Sequence, residues 1–279
     1  MQSAPGPVTL AVAPNGGRRL KADHPALPLT ADELGFEAEA ALEAGAAMLH
    51  MHVRDPAGHH VLDADAYAAA LRAVRSRVGQ RLVVQITSES LGRYAPPEQD
   101  ALIRAVRPEA VSIALRELVP DATQEASFAD LLAWMKDARV MPQIILYDAA
   151  DLARLKALQQ RGVIPWDSVP VLFALGRYSA GRIATPQDLL GILAAGPVRP
   201  TEWMVCAFGP NEARITAAAA LLGADLRIGF ENNLDRPDGT RAASNAEQIA
   251  HMAQVLRALG VPVRDGPALR AHWQTLLFE

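Results

Sequence analysis

The feature of this 279-residue sequence that most constrains its fold is a regular alternation of two kinds of segment. Short apolar runs rich in β-branched residues alternate with longer amphipathic stretches, which is the pattern of βα units around a parallel sheet. Eight runs are predicted to be strands: Val8–Ala13, Met48–Val53, Leu82–Thr87, Ala110–Leu115, Met141–Tyr147, Val169–Leu175, Trp203–Ala207 and Leu226–Phe230.

The amphipathic segments between these runs predict helices. The first begins at a capping box, in which Thr30 and Glu33 satisfy free amides at a helix start. Gly162 and Gly223 mark two helix ends, since glycine takes the left-handed conformation there. The later helices are predicted at about Ala64–Arg77, Glu98–Val106, Phe128–Asp137, Ala149–Arg161, Pro186–Ala195, Asn211–Leu222 and Ser244–Leu259.

This count of βα units fits a closed barrel, for which roughly 250 residues are typical. An open doubly wound sheet is the alternative, but no GxGxxG or Walker loop follows the first strand. No Pro- or Gly-rich linker divides the chain. We therefore expect residues 1–279 to form one domain, a single (β/α)8 TIM barrel.

Composition excludes several classes of protein. The formal net charge is −4 and the basic residues are scattered, whereas nucleic-acid binding needs a concentrated basic face. Cys206 is the only cysteine, so the chain has no internal disulfide and no zinc site built from thiolates. The N-terminus lacks the regions of a signal peptide, and no apolar run is long enough to cross a membrane. We expect a cytoplasmic protein.

The second predicted strand carries a pair of histidines. His50 and His52 are two positions apart, so their side chains project to the same side of the strand. They lie near its carboxyl end, where the active sites of barrels are built. Two imidazoles on one face are natural ligands of zinc or a similar metal, although histidines can also serve a purely structural role there.

A third ligand is expected from the last strand. Glu231 lies at its upper rim and shares a face with Arg227. In a closed barrel the second and eighth strands flank the first, so their ends can converge on one ion. Two histidines and a glutamate leave coordination positions open for substrate. The alternative for Glu231 is a salt bridge with Arg227.

The other histidines fit this site less well. His24, His59 and His60 lie in polar, loop-like segments, and His251 and His272 fall in helical patterns. Each is predicted to be a surface or packing residue. Amidohydrolases, which add histidines from middle strands, are excluded because no histidine lies between His60 and His251.

The strings HMHVRD and RIGFENN, at the two strand ends just described, together resemble the β-keto acid cleavage enzymes, the family of the 3-keto-5-aminohexanoate cleavage enzyme. Ala13–Gly17 and Lys21–Pro28 are similar to the N-terminal segment of that family. The resemblance covers nearly the whole chain, from about Val8 to Pro267, with motifs at the first, second, third and eighth strands.

This resemblance implies a zinc-bound TIM barrel, usually a homotetramer. It implies a reaction between a β-keto acid and acetyl-CoA that gives acetoacetate and a new acyl-CoA, without an organic cofactor. Zinc chelated by the keto oxygen and the substrate carboxylate would stabilise an enolate that attacks the thioester. Transfer of CoA within the adduct and a retro-Claisen cleavage would follow.

Individual residues are carried over on the same basis. His50, His52 and Glu231 match the family's metal ligands, and Arg227 matches the arginine that pairs with its catalytic acid. Thr87 and Ser112 stand where the family has substrate-binding hydroxyls, so a donor near the developing oxyanion is expected. The matched motifs also suggest three substrate-binding residues, Asn15, Ser88 and Asn233.

The sequence departs from the family at the catalytic base. The family has an aspartate directly after the metal-binding glutamate, and this chain has Asn232. An amide cannot accept a proton at neutral pH. Glu89 or Glu117, both at strand ends, could take the proton instead. A bound hydroxide could also suffice, or the condensation could have been lost.

The expected substrate also differs. Arg18 stands where the lysine-fermentation enzymes have a glutamate that meets an ammonium group, and the fifth strand has Gln143 and Ile145 where glutamates are common. Arg116, at the end of the fourth strand, is a second possible cation. An anionic or neutral polar substrate is therefore expected, unless Arg18 points to solvent.

Two other functions stay open at this stage. One is a metal-dependent retro-aldolase or lyase that does not use CoA. The other is a catalytically silent barrel that binds a keto acid. Dependence of turnover on acetyl-CoA separates all three possibilities.

Overall fold

The structure is a computed structural model that describes residues 6–179, 181, 183–194 and 202–279. Its strands are β1 (Val8–Val12), β2 (Met48–Met51), β3 (Val83–Thr87), β4 (Ala110–Ala114), β5 (Met141–Leu146), β6 (Val171–Leu175), β7 (Trp203–Ala207), β8 (Asp225–Ile228) and β9 (Val263–Arg264). Its α-helices are α1 (Ala31–Glu43), α2 (Ala64–Val78), α3 (Pro96–Val106), α4 (Leu115–Leu118), α5 (Glu125–Ala138), α6 (Ala149–Gln160), α7 (Pro186–Ala194), α8 (Glu212–Leu221), α9 (Asn245–Ala258) and α10 (Gly266–Phe278).

Strands β1 to β8 form a closed parallel barrel. Neighbours in sequence pair with one another, and β1 pairs with both β2 and β8. Ala11 of β1, for example, lies opposite Met48 on one side and Arg227 on the other. The predicted single (β/α)8 TIM barrel is confirmed, and so is the prediction that β1 lies between the two strands that carry the proposed ligands.

Local sequence explains where the helices begin. The predicted capping box is present at α1, where the Thr30 side chain accepts from the amide of Glu33 and the Glu33 carboxylate accepts from that of Thr30. Asp63, Asp148 and Ser244 cap α2, α6 and α9 in the same way, each accepting a backbone N–H. The apolar faces of these helices cover strands that are buried along their whole length.

The structure adds elements that the sequence pattern did not predict. Helix α10 packs against the barrel through Trp273, which is buried, and the indole of Trp166 donates to the Leu277 carbonyl over 2.7 Å. The short strand β9 pairs with the first residues of β1. Most predicted element ends are shifted by one or two residues, α3 begins two residues early and α5 three, and Ala195, predicted to end α7, lies outside the described residues.

The closed barrel decides where functional side chains can meet. Because all eight strands are parallel, their carboxyl ends form one rim, where β2, β3, β6 and β8 each lead into a polar segment. In the described part of the chain, no helix is both long enough and apolar enough to cross a membrane.

Candidate metal centre

Three potential ligands converge at the carboxyl end of the barrel. His50 lies in β2, His52 follows one residue after that strand, and Glu231 lies three residues beyond β8. The Nε2 atoms of the two histidines are 3.3 Å apart. Oε2 of Glu231 lies 3.4 Å from Nε2 of His50 and 3.7 Å from Nε2 of His52. Both histidines are buried, and the expected convergence of β2 and β8 is observed.

A neighbouring glutamine fixes the tautomer of His50. Nδ1 of His50 lies 2.8 Å from Oε1 of Gln85, on the adjacent strand β3. The Gln85 amide nitrogen donates to Oε1 of Gln143 over 3.1 Å, which leaves its oxygen facing the histidine. The His50 proton therefore lies on Nδ1, and Nε2 presents a lone pair to the centre.

A third histidine fixes the tautomer of His52. His60 is buried, although the sequence suggested only a surface or packing role, and its Nε2 lies 2.9 Å from the Glu89 carbonyl oxygen. A carbonyl only accepts, so this nitrogen carries the His60 proton. Nδ1 of His60 then accepts from Nδ1 of His52 over 3.3 Å. Nε2 of His52 is left with a lone pair that also faces the centre.

The two carboxylate oxygens of Glu231 have different surroundings. Its Oε1 accepts from Arg227 over 3.0 Å, so the salt bridge considered as an alternative exists. Its Oε2 is buried and has no hydrogen-bond partner among the described residues. Close backbone approach holds the side chain in place: a Cβ on Gly16, where φ is +57°, would lie 2.5 Å from Cγ of Glu231.

These atoms fit a divalent metal ion. Two imidazole lone pairs and a carboxylate oxygen face one another with no donor from the described residues between them, an arrangement that a bound cation would satisfy. Ligand atoms about 2.0–2.1 Å from a tetrahedral zinc ion lie about 3.3–3.4 Å apart, close to the three distances given above. Burial lowers the pKa of His50 to about 3 and that of His52 well below its usual value, so both imidazoles are neutral at neutral pH.

The loop after β1 supports the β2 ligands through backbone contacts. The Asn15 amide donates to the His52 carbonyl over 2.9 Å, and its oxygen accepts from the His52 N–H over 3.2 Å. Its second N–H donates to the Pro28 carbonyl. These bonds make Asn15 a support of His52, and Asn15 also lines the cavity that contains Arg18 and Glu231.

A cavity of about 290 Å³ lies beside the three ligands. Thr87 lines it, and Oγ1 of Thr87 accepts from the Glu89 N–H over 3.0 Å and from the Ser112 hydroxyl over 3.3 Å. With both acceptor positions in use, the Thr87 proton is directed to a further acceptor. Ser112 does not line this cavity and acts behind Thr87.

An ion pair that the sequence did not predict closes another side of this cavity. Arg177 follows β6 by two residues and pairs with Oε1 of Glu89 over 2.5 Å. Oε2 of Glu89 is 4.0 Å from Nε2 of His52. The one feature of the sequence that could have pointed to Arg177 is its position two residues after the end of β6. Glu117, the other carboxylate suggested as a base, is occupied by the Ser90 N–H and the Gln99 amide.

Arg18 lies beside the centre but not inside it. A second cavity, of about 250 Å³, is lined by Glu231 and Glu89 together with Arg18, Arg19 and Arg177. Arg18 is exposed at its edge and has no acidic partner in the described part of the chain. Its guanidinium can therefore meet an anionic group that enters this cavity.

Three residues expected to bind substrate are placed elsewhere. Arg116 pairs with Asp148 and Asp151, so its charge is neutralised outside the two cavities. The Ser88 hydroxyl donates to the Ser112 carbonyl, because Ser88 points away from the side of β3 that Thr87 occupies. Asn233 bonds the backbone of Asp235 and lines a larger cavity of about 750 Å³ between α8 and α9.

Fold and site together define a (β/α)8 barrel with a candidate metal centre of two histidines and a glutamate at its catalytic rim. A profile of the beta-keto acid cleavage enzyme family matches residues 7–274. The chain belongs to this family, as the sequence motifs indicated.

Named relatives agree with this membership. The chain is 25% identical to a 3-oxoadipate:acetyl-CoA acetyltransferase of Cupriavidus necator, over 95% of this chain and 94% of that protein. It is also 25% identical to a 3-keto-5-aminohexanoate cleavage enzyme of Fusobacterium nucleatum, over 88% and 89% of the two chains. Among solved structures, a ternary complex of ObcA with a C4-CoA adduct and oxalate is similar in fold, with a TM-score of 0.71 and 17% identity over 89% of this chain and 67% of that one.

The role derived for His60 gives a first prediction. His60→Ala removes the acceptor that holds the proton of His52 on Nδ1, so zinc affinity should fall by about 10- to 100-fold. His59→Ala is the matched control, because the neighbouring His59 side chain is 64% exposed. Competition with a chromophoric chelator measures both dissociation constants. Equal affinity in the two variants would show that His60 does not orient His52.

Proposed function

We propose that this protein is a zinc-dependent enzyme that cleaves a β-keto acid with acetyl-CoA, giving acetoacetate and a new acyl-CoA. The observation that carries the proposal is the meeting of two imidazole lone pairs and an unpartnered carboxylate oxygen at the barrel rim. Family membership supports the reaction class, and the name of the relative from Cupriavidus necator supports acetyl-CoA as co-substrate.

His50, His52 and Glu231 would hold the ion, and this donor set of two nitrogens and one oxygen is one that catalytic zinc uses. Zinc, when bound there, supplies a Lewis acid for the keto oxygen and carboxylate of the substrate. Arg227 is buried and keeps one oxygen of Glu231 engaged, so the other oxygen stays directed at the ion.

One hydroxyl would stabilise negative charge on the substrate, and a second would support it from behind. Thr87 faces the cavity with its proton free, so it is the residue that donates to a developing oxyanion. Ser112 donates to Thr87 and is a positioning residue in this arrangement. Of the two residues expected to be catalytic, Thr87 would therefore contact the substrate and Ser112 would hold Thr87 in position.

Glu89 would be the base that removes a proton from the substrate. Its carboxylate lines both cavities beside the centre and is oriented by Arg177. Asn232 cannot accept the proton, and Glu117 is bound to a backbone amide and a side-chain amide. The sequence suggested Glu89 and Glu117 as possible bases, and of these two only Glu89 lies next to the proposed metal ligands.

The substrate would carry a second anionic group. Arg18, Arg19 and Arg177 line the cavity next to Glu231, and Arg18 has no acidic partner in the described ranges. The relative from Cupriavidus necator is named for 3-oxoadipate, a β-keto acid with a distal carboxylate. We infer that a β-keto dicarboxylate of this kind is the preferred class.

The function is tested by an assay for acetoacetate with zinc-loaded protein, 3-oxoadipate and acetyl-CoA. Product should form only when acetyl-CoA is present. Glu89→Gln should lower kcat by about 10²- to 10⁴-fold with its zinc retained, because it removes the base. Glu117→Gln is the matched control and should keep kcat within a few-fold.

Three outcomes would contradict parts of this account. Cleavage without acetyl-CoA would identify a lyase, and binding of β-keto acids without turnover would identify a silent barrel. Turnover that survives in Glu89→Gln and is lost in Glu117→Gln would assign the base to Glu117.

Substrate preference is tested at Arg18. An exposed charge pair contributes about 0.2–1 kcal/mol, so reversing the charge with Arg18→Glu should raise KM for 3-oxoadipate by about two- to thirty-fold. The same change should improve an amino-substituted β-keto acid. Arg72→Glu, at an exposed position on α2, controls for net charge. An unchanged ranking of substrates would place Arg18 outside substrate recognition.

A further inference from the structure

A buried carboxyl group lies behind the metal centre and has no role in the chemistry described above. Glu212, the first residue of α8, is 2% exposed. Its Oε1 accepts from the Gly229 N–H over 3.2 Å and from the Asn232 side-chain amide over 3.0 Å. Burial raises the pKa of this carboxyl to about 8, and these two hydrogen bonds act in the opposite direction. The two hydrogen bonds therefore offset part of the cost of burying this carboxyl group.

The partner amide is held on two sides. Nδ2 of Asn232 donates to Glu212 and also to the Arg227 carbonyl oxygen over 3.1 Å. The Arg227 carbonyl has no proton to give in return, so the nitrogen and oxygen of this amide cannot be exchanged. Oδ1 of Asn232 is buried with no partner among the residues that the structure describes.

Glu212 contacts residues on both sides of Glu231 in the sequence, and Glu231 is the proposed carboxylate ligand. Gly229 and Asn232 stand on either side of Glu231 in a tight turn, in which the Asn232 N–H donates to the Gly229 carbonyl over 2.8 Å. Gly229 has a φ of +144°, and a Cβ there would lie 2.4 Å from the Ala13 carbonyl oxygen. The turn therefore has no freedom to move toward β1, and Glu212 holds its other side.

We propose that Glu212 and Asn232 form an acid–amide pair that positions Glu231, and that Glu212 is the reason why position 232 holds an amide. A carboxylate at position 232 would have no N–H for Glu212 or for the Arg227 carbonyl. It would also place two carboxyl groups about 3.0 Å apart in a buried site, where a charge on one disfavours ionisation of the other. Glu212 is a positioning residue here, since it acts through the turn.

This proposal reverses the simplest expectation from the family pattern, which is that an aspartate at position 232 would improve the enzyme. Asn232→Asp hardly changes the size of the side chain, whereas Asn232→Ala removes several atoms. Asn232→Asp should nevertheless disturb the turn more, because it alone adds a second carboxylate beside Glu212. A role in filling space predicts the opposite order, because alanine leaves the larger void.

The test is a double-variant cycle with Asn232→Asp, Glu212→Gln and the two changes combined. Asn232→Asp alone should lower the Tm of the metal-free protein by roughly 5 °C and weaken zinc binding by about 10- to 100-fold. The combined variant exchanges acid and amide, so a donor returns to the pair. It should recover part of both losses, even though the Arg227 carbonyl stays without its donor and the Gly229 N–H loses the oxygen that it shared with Asn232.

Asn232→Asp combined with Glu247→Gln is the matched control. Glu247 lies on α9 and pairs with Arg236, so this change also removes one negative charge from the same region but leaves Glu212 in place. It should recover neither Tm nor zinc affinity.

Tm is measured in a chelator, so it reports on the pair whether or not zinc binds. The zinc dissociation constant reports on the link to Glu231, which rests on the proposed function. Wild-type protein that binds no zinc would overturn the proposed function and the positioning of Glu231 for metal, while the Tm cycle would still decide whether the pair exists. An Asn232→Asp variant as stable as wild type, or effects of the two changes that simply add, would overturn the pair.

Discussion

Three hydrogen-bond acceptors meet in the buried rim of this barrel, and no donor from the described residues lies between them. A divalent cation between Nε2 of His50, Nε2 of His52 and Oε2 of Glu231 would offset the cost of leaving these buried acceptors unpartnered. The neighbouring side chains maintain this arrangement. Gln85 and His60 each hold an imidazole proton on the side away from the centre, so the two lone pairs face inward.

The barrel makes this meeting possible because its first strand lies between the two strands that carry the ligands. The residues after β1 then complete the site from the centre of that trio. Asn15 binds the backbone of His52, and Gly16 lets the Glu231 side chain pass close to the main chain. Glu212 supports the same glutamate from α8, outside the sheet. The candidate metal centre thus depends on contacts from several βα units, none of which could form it alone.

The eight strands, their closure and the convergence of His50, His52 and Glu231 could be predicted because each depends on a short-range pattern. Alternation along β2 places His50 and His52 on one side, and closure brings β8 next to β1. His60, Arg177 and Glu212 could not be found in this way, because their partners are far away in sequence or on another element. Strand-end polar residues are ambiguous for the same reason: Thr87 faces the cavity, whereas Ser88 faces the other side. Helix α10 was missed because it follows the last βα unit of the repeat.

The proposed function depends on one property of the site, that the Nε2 atoms of His50 and His52 and one oxygen of Glu231 bind a single divalent ion. Anomalous diffraction from crystals loaded with one equivalent of zinc, measured on both sides of the zinc absorption edge, tests it directly. We predict one peak, about 2.0–2.1 Å from Nε2 of His50, Nε2 of His52 and a carboxylate oxygen of Glu231. A peak at surface histidines such as His59, or none between these three side chains, would contradict the account.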